Sequence, residues 1–208
     1  DEVLNCFNPN SVILNGNGSN SGPGYNINWT TNDGNIVFGA NTLTPTVDEP
    51  GTYTLTIINT NNGCSDTDEV MVTEDLEQPI VMAFGGGEVT CFTPLINLSG
   101  TGSSSGPGFN ISWSGPGLFS GQGTLTPTVN AGGTYTLTIT NTNNGCSDEA
   151  SVTIGENLAT PDADIFPANQ IDCNNPTVTV DASNSVLIGN NTTIDWTTIN
   201  GNILSGNN

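Results

Sequence analysis

The chain has 208 residues, with no lysine, arginine or histidine and 20 aspartates and glutamates, so its formal net charge is -20. Without basic side chains it cannot neutralise a phosphate backbone or form a polybasic membrane patch, which argues against nucleic-acid binding and electrostatic membrane attachment. The same absence removes histidine bases, Ser-His-Asp and Cys-His catalysis and lysine Schiff bases, so we expect no enzyme. No run of 18 apolar residues occurs, and we expect no direct membrane insertion.

Alternating apolar and polar residues predict short strands, which clusters of Gly, Pro, Asn and Asp separate. The clearest alternation has Tyr53, Leu55 and Ile57 on one face and threonines on the other, so the first face is expected in a core. Seven or so strands in about 80 residues predict an all-β chain of tandem Ig-like β-sandwich domains in an elongated array. The main predicted strands of the first sandwich are, in chain order, Ser11–Leu14, Tyr25–Thr30, Asn35–Phe38, Thr52–Ile58 and Glu69–Thr73.

The sequence repeats itself with a period of roughly 83 residues. The segment Asn59–Asp66, NTNNGCSD, recurs as Asn141–Asp148. The third copy of the repeat is incomplete in this sequence. Half a β-sandwich would expose its inner apolar face and its strand edges to water, so we expect the chain to be a segment of a longer array. The alternative is that a neighbouring molecule supplies the missing strands. The predicted domains are repeat 1 (residues 1–76), repeat 2 (77–157) and an incomplete repeat 3 (158–208).

The five cysteines follow the repeat, because each complete repeat has one early and one late cysteine. This pattern indicates disulfides, since neither a Cys-x-x-Cys spacing nor a histidine is present to suggest a metal site. We predict bonds within each repeat, Cys6 with Cys64 and Cys91 with Cys146. Cys173 is expected to pair with a cysteine outside the segment. Free buried thiols are the alternative.

One tryptophan per repeat falls on the same predicted strand, at the position where sandwich cores place a large aromatic side chain. The alternative is that exposed tryptophans stack on sugars. The predicted core aromatic residues are Trp29, Trp113, Trp196, Tyr53 and Tyr135.

Acidic clusters lie between the predicted repeats and have the oxygen ligands that calcium prefers. No recognisable calcium-loop motif is present, and solvated charge at domain edges is the alternative. The candidate calcium ligands are Glu74, Asp75, Glu77, Glu156, Asp162 and Asp164. No other cofactor is expected.

The motifs resemble a family. An early cysteine, the stretch Ser21–Tyr25 before the strand tryptophan, Gly51–Ile57 and Asn59–Ser65 are similar to the Ig-like/PKD-like tandem repeats of giant cell-surface proteins of Bacteroidota. These include gliding-motility adhesins exported by the type IX route. The PKD likeness is imperfect, because Asp33-Gly34-Asn35 matches that family's motif only loosely. The resemblance implies a secreted, surface-anchored, elongated array for adhesion, gliding or matrix formation.

The leading hypothesis is therefore a disulfide-stabilised structural stalk or filament in an extracellular fibre or cell-surface adhesin. Expected partners are surface polymers or other copies of the same fibre, and the Ser- and Thr-rich surface is open to glycan modification. Two alternatives stay open: a carbohydrate-binding repeat module, or an accessory region of a large secreted hydrolase.

Overall fold

The computed structural model describes residues 2–188 and 192–205. Parts of the predicted third repeat therefore lie outside the described residues. The chain divides into two compact units, Asp1–Glu156 and Asn157–Asn208. The first unit contains two β-sandwiches, which correspond to the first two predicted repeats.

The fold is all-β. In the described ranges no helix is present, and hence none that is long and apolar enough to cross a membrane. The first sandwich consists of β1 (Glu2–Asn5), β2 (Val12–Ile13), β3 (Tyr25–Thr31), β4 (Ile36–Phe38), β5 (Thr46–Val47), β6 (Gly51–Asn59) and β7 (Ser65–Asp75). The second consists of β8 (Glu88–Thr90), β9 (Ile96–Asn97), β10 (Phe109–Ser114), β11 (Leu118–Ser120), β12 (Thr128–Val129), β13 (Gly133–Asn141) and β14 (Ser147–Asn157).

The first sandwich pairs a four-stranded sheet, in the order β1-β7-β6-β3, with a three-stranded sheet, β2-β5-β4. Side chains from both sheets meet in one core, where Leu14, Val47 and Tyr53 are fully buried. The first and last strands, β1 and β7, run parallel, with Asn5 opposite Asp75. The end of β1 therefore lies beside the end of β7, at the end of the sandwich from which the chain continues to the second sandwich.

The second sandwich repeats this plan with the sheet orders β10-β13-β14-β8 and β11-β12-β9. Its core buries Tyr135, Leu137 and Ile139 completely, and they are alternate residues of one strand. The threonines that alternate with them lie on the other face, where Thr134 and Thr136 lie within hydrogen-bonding distance of hydroxyls on β14. The strong alternation of the sequence thus places one apolar face of β13 in the core.

Each sandwich core is closed by one tryptophan and one tyrosine whose polar atoms are hydrogen-bonded. Trp29 Nε1 donates to the backbone oxygen of Thr42, at 3.0 Å, and Trp113 makes the equivalent bond in the second sandwich. Tyr53 Oη donates to the backbone oxygen of Glu49, at 2.7 Å. Tyr135 likewise donates four residues upstream. Burial raises the pKa of both tyrosines above the usual value of 10.0, although a backbone hydrogen bond partly opposes the shift.

Near the start of the second unit, a serine side chain forms hydrogen bonds with both backbone groups of one earlier residue. The same pair of bonds occurs at the start of the second sandwich. Ser185 Oγ accepts from the backbone N–H of Asp164 and donates to its carbonyl, at 2.9 and 3.0 Å. Ser103 and Met82 exchange the same two bonds. No strand begins in the described residues of this unit, and Trp196 is half-buried rather than enclosed in a core.

Candidate functional site: the disulfide-linked junction between the sandwiches

A disulfide joins the two sandwiches. Cys6 of the first is bonded to Cys146 of the second, across a sequence separation of 140 residues and with Cα atoms 4.9 Å apart. The predicted bonds within each repeat, Cys6 with Cys64 and Cys91 with Cys146, are therefore wrong. In the described part of the chain Cys64, Cys91 and Cys173 are free and exposed.

Strand topology explains the correction. Cys6 directly follows β1, whose last residue lies opposite Asp75 at the end of β7. Cys64 directly precedes the start of β7, and this strand has 11 residues. At about 3.3 Å per residue the two cysteines are separated by roughly 40 Å along the strand, far beyond the reach of a disulfide. The early cysteine therefore lies at the end of the sandwich that faces the next one.

The late cysteine lies in the turn between the last two strands of the second sandwich, and this turn contacts the first sandwich. Within the turn, Asn144 Oδ1 accepts from the backbone N–H of Cys146 at 2.9 Å. Asn144 Nδ2 reaches across to donate to Asp75 Oδ1 at 2.8 Å and to the carbonyl of Glu77 at 3.0 Å. Asn144 is 1% exposed, so these bonds satisfy a buried amide.

The ring of Phe7 provides an apolar contact at the same turn. A methyl group at position 145 would lie 2.8 Å from a ring carbon of Phe7, so the ring occupies the space above Gly145. Gly145 has a φ of +77°, a conformation that favours glycine. The three consecutive residues Asn144, Gly145 and Cys146 thus carry a buried amide, a contact with an aromatic ring and a covalent bond.

The candidate calcium ligands are not brought together. No group of three or more Cys, Asp or Glu side chains that could hold a metal ion occurs among the residues with described positions. Asp75 instead accepts from Asn144, and Glu156 Oε2 accepts from the backbone N–H of Gly132 at 2.8 Å. Glu74 and Glu77 are exposed on the first unit, and Asp162 and Asp164 belong to the second.

The tryptophans of the two sandwiches are almost wholly buried, although Trp29 forms part of the lining of a cavity of about 290 Å³ on the first sandwich. Trp29 is 5% exposed and Trp113 is 3% exposed, with both indole N–H groups bonded to the backbone. A groove of about 590 Å³ on the first sandwich is lined by Tyr25, Asp66, Asp68 and other residues. It offers polar surface without an exposed tryptophan.

The sequence patterns did not identify three residues of the junction: Phe7, Asn144 and Gly145. A usable signal was present, because the pair Cys6-Phe7 recurs as Cys91-Phe92 and the tripeptide Asn-Gly-Cys recurs at both late cysteines. The sequence did not say that the two motifs meet across consecutive repeats.

No family model matches the chain, and no curated protein matches it. Among solved structures it is similar to Sidekick-1 immunoglobulin domains 1–5, with 14% identity over 77% of this chain and 38% of that chain, and a TM-score of 0.31. It is also similar to the N-terminal four Ig domains of Dscam1 isoform 8.4, with 15% identity, coverage of 71% and 41%, and a TM-score of 0.30.

A third similar structure comprises three N-terminal domains of the bacteriophage RB49 Highly Immunogenic Outer Capsid protein. It shares 19% identity over 76% of this chain and 60% of that chain, with a TM-score of 0.35. The chain spans about two fifths of the length of the first two structures.

Proposed function

We propose that this protein is a structural repeat region of an extracellular fibre or cell-surface adhesin, in which β-sandwiches are joined in series by disulfides at their junctions. The observation that carries the proposal is the Cys6–Cys146 bond between consecutive sandwiches. In this role the protein is a spacer that holds successive domains in a fixed orientation.

The contacts at the junction support a stiff connection. Domains that are joined only by a linker are expected to move relative to each other. Here the turn at Asn144, Gly145 and Cys146 is held by a disulfide, by two hydrogen bonds from a buried amide and by the ring of Phe7. Bending at this joint requires the loss of several of these contacts at once.

An extracellular location is supported by the same bond, because structural disulfides persist in oxidising compartments and are rare in reducing ones. The net charge of -20 keeps such a surface soluble and discourages association with anionic polymers. From the resemblance to Bacteroidota surface repeats we propose that the fibre serves adhesion, gliding or matrix formation. We also propose that its Thr- and Ser-rich surfaces carry glycans.

The domain boundaries are part of the proposal. We assign repeat 1 to residues 1–76, repeat 2 to 77–157 and the start of repeat 3 to 158 onward, in agreement with the pairing of Ser185 with Asp164. The enclosed tryptophans of the first two repeats favour this structural role over the carbohydrate-binding alternative.

Two measurements test the proposal. Peptide mapping of the protein from its natural source, alkylated without reduction, is expected to recover Cys6 bonded to Cys146. Small-angle X-ray scattering is expected to give a narrow pair-distance distribution that broadens on reduction, and a Cys6→Ser variant should resemble the reduced protein. Free thiols at both positions, or scattering that does not respond to reduction, contradict the proposal.

A further inference from the structure

The junction turn contains an Asn-Gly pair, the combination of residues that most readily closes to a succinimide ring. The asparagine side chain has an electrophilic amide carbon, and the following glycine has no β-carbon to hinder attack by its backbone nitrogen. Asn144-Gly145 directly precedes Cys146, which forms the disulfide between the sandwiches. The same pair recurs as Asn62-Gly63 in the first sandwich. The chain therefore has one such pair inside the junction and one outside it.

Both turns fold the asparagine side chain towards the glycine that follows it. Asn62 Oδ1 accepts from the backbone N–H two residues ahead at 3.0 Å, and Asn144 Oδ1 does so at 2.9 Å. Such a bond folds the amide forward over the intervening glycine, so its carbon approaches the glycine nitrogen. The two glycine N–H groups donate to the carbonyl four residues upstream at 2.7 and 2.8 Å, with φ values of +76° and +77°. Internal geometry does not distinguish the two turns.

The junction occupies the amide nitrogen that would leave as ammonia. Asn144 Nδ2 donates to Asp75 Oδ1 at 2.8 Å and to the carbonyl of Glu77 at 3.0 Å, which uses both of its N–H groups. Loss of ammonia also requires a proton from water, and ring opening requires a water molecule. Asn144 is 1% exposed and the ring of Phe7 covers Gly145. The junction thus withholds both the amide and the water from the reaction.

The turn outside the junction has none of this protection. Asn62 and Gly63 are both exposed, and a methyl group at position 63 would have nothing within 4 Å. Within the ranges that the structure describes, the amide nitrogen of Asn62 has no protein acceptor, and the side chain bonds through Oδ1. The contrast between the two turns therefore isolates the contribution of the junction.

We infer that Asn144-Gly145 is a deamidation site that the closed junction keeps inert and that opening the junction exposes. The backbone nitrogen of Gly145 attacks Cγ of Asn144 and loses its proton to water. The bond from Cγ to Nδ2 then breaks, ammonia leaves, and a succinimide remains. Water adds to one of the two ring carbonyls and opens the ring to aspartate or isoaspartate. One water is consumed and one ammonia is released, without an oxidant or a reductant.

The products cannot rebuild the junction. Aspartate at position 144 places a carboxylate where Nδ2 had donated to Asp75, and two carboxylates at this distance repel each other. Isoaspartate instead inserts a methylene group into the backbone of the turn. It shifts Cys146 relative to Cys6, whose Cα atom lies 4.9 Å away in the bonded pair. Opening by a small thiol is reversible exchange, but deamidation makes the open state permanent.

The first test compares the two pairs in the full chain. The parent variant keeps only the junction cysteines and carries Cys64→Ser, Cys91→Ser and Cys173→Ser. After incubation at mildly alkaline pH, digestion with pepsin in acid suppresses further deamidation and disulfide exchange, and mass spectrometry resolves asparagine, aspartate and isoaspartate. Asn144 should react at least about 100-fold more slowly than Asn62, because it must wait for local opening. As the control, Gly63→Ala should slow Asn62 about tenfold, because the β-carbon disturbs the alignment for attack.

The second test opens the junction with Cys6→Ser and Phe7→Ala together in the parent variant. The rate at Asn144 should rise to within roughly threefold of the rate at Asn62, since local opening no longer limits it. Fluorescence of the buried Trp29 and Trp113 checks that both sandwiches stay folded. If the double substitution unfolds them, Cys6→Ser alone provides the measurement.

The third test follows re-closure in the parent variant with Phe7→Ala alone. The chain is reduced with a small thiol, aged, freed of the thiol and treated with oxidised glutathione. Molecules that still have Asn144 should regain the Cys6–Cys146 bond, whereas deamidated molecules in the same sample should keep free thiols. Peptide mapping without reduction separates the two populations, so each sample contains its own control.

Four results overturn the inference: equal rates at Asn62 and Asn144 in the closed parent, an Asn62 that stays intact, an Asn144 that stays intact in the opened, folded variant, or equal re-closure of deamidated and intact chains. The Cys6–Cys146 peptide is measured in the parent before ageing. Its absence contradicts the proposed function. Its presence together with any of the four results contradicts the deamidation site alone.

Discussion

The ring of Phe7 lies over Gly145, although 138 residues separate them in the sequence. The contact brings the segment that follows the first strand of one sandwich against the last hairpin of the next. It lies beside the Cys6–Cys146 bond, so the ring shields the turn that carries the sulfur. The equivalent turn in the first sandwich, at Gly63, has no side chain packed over it among the described residues. Mutations in this turn therefore serve as controls for mutations in the junction turn.

Substituting each of these glycines by alanine separates backbone strain from the contact with Phe7. Both residues have left-handed φ values, +76° and +77°, so either change should cost about 1 kcal/mol in the free energy of unfolding. Gly145→Ala also displaces the ring and should cost about 1–2 kcal/mol more than Gly63→Ala. Urea unfolding of the two variants as monomers measures the difference. Equal losses would show that the ring does not pack on the turn.

Replacing Asn144 by aspartate tests the buried amide. Asn144→Asp keeps the oxygen that accepts from Cys146, but it places a second carboxylate at the position from which Nδ2 donates to Asp75 at 2.8 Å. We expect a loss of about 3 kcal/mol in the free energy of unfolding at neutral pH. Protonation restores a donor, so the loss should shrink as the pH falls through the range in which aspartate titrates. The exposed control, Asn62→Asp, should change the free energy by less than about 0.5 kcal/mol at any pH.

Removing the junction disulfide should destabilise the first unit strongly. The bond closes a loop of 140 residues, for which the chain-entropy model gives up to about 5 kcal/mol. Calorimetry of Cys6→Ser should therefore show a clearly lower Tm than the parent chain. Cys64→Ser is the matched control and should leave the Tm of the monomer nearly unchanged, because this thiol is free and exposed. A similar fall in both variants would argue against the assigned pairing.

Alkaline pH should weaken both sandwiches through their buried tyrosines. The pKa values of Tyr53 and Tyr135 are raised in the folded chain, mainly by burial, so folding favours the neutral phenols. The stabilisation is complete below the unfolded value of about 10 and is lost as the pH rises through the folded values.

Thermal melts between pH 8 and 11, with the free cysteines changed to serine, should therefore show a fall in Tm that begins near pH 10. The double variant Tyr53→Phe and Tyr135→Phe should lose most of this fall. Each substitution should cost about 1 kcal/mol at neutral pH, because a hydrogen bond to a backbone oxygen is lost. If the double variant shows the same fall in Tm at alkaline pH, the fall is caused by groups other than these two tyrosines.

The alternating pattern predicted the fold class, because it reports directly which residues of a strand face the core. The long strand Thr52–Ile58 lies within the observed Gly51–Asn59, and the all-β class is confirmed. Of the two-residue strands, β2 lies within the predicted Ser11–Leu14, whereas β5, Thr46–Val47, was missed because its pattern is too short to show alternation. β1 was also missed, since its partner β7 is some 70 residues away in the sequence.

The cysteine pairing could not be derived from spacing alone. One early and one late cysteine per repeat are equally compatible with a bond inside a repeat and with a bond between consecutive repeats. The parallel pairing of β1 with β7 decides the question, because it places Cys6 and Cys64 at opposite ends of an 11-residue strand. That pairing is a long-range property of the fold, and only the three-dimensional structure shows it.

The connectivity of the Cys6–Cys146 bond determines how this segment carries tension. A force applied before Cys6 and after Cys146 passes through the two sulfurs and bypasses the residues between these two cysteines, which are 140 positions apart in the sequence. Unravelling of those residues would otherwise release on the order of 480 Å of contour length. With the bond intact, most of both sandwiches can unfold while the tether between those two points keeps its length.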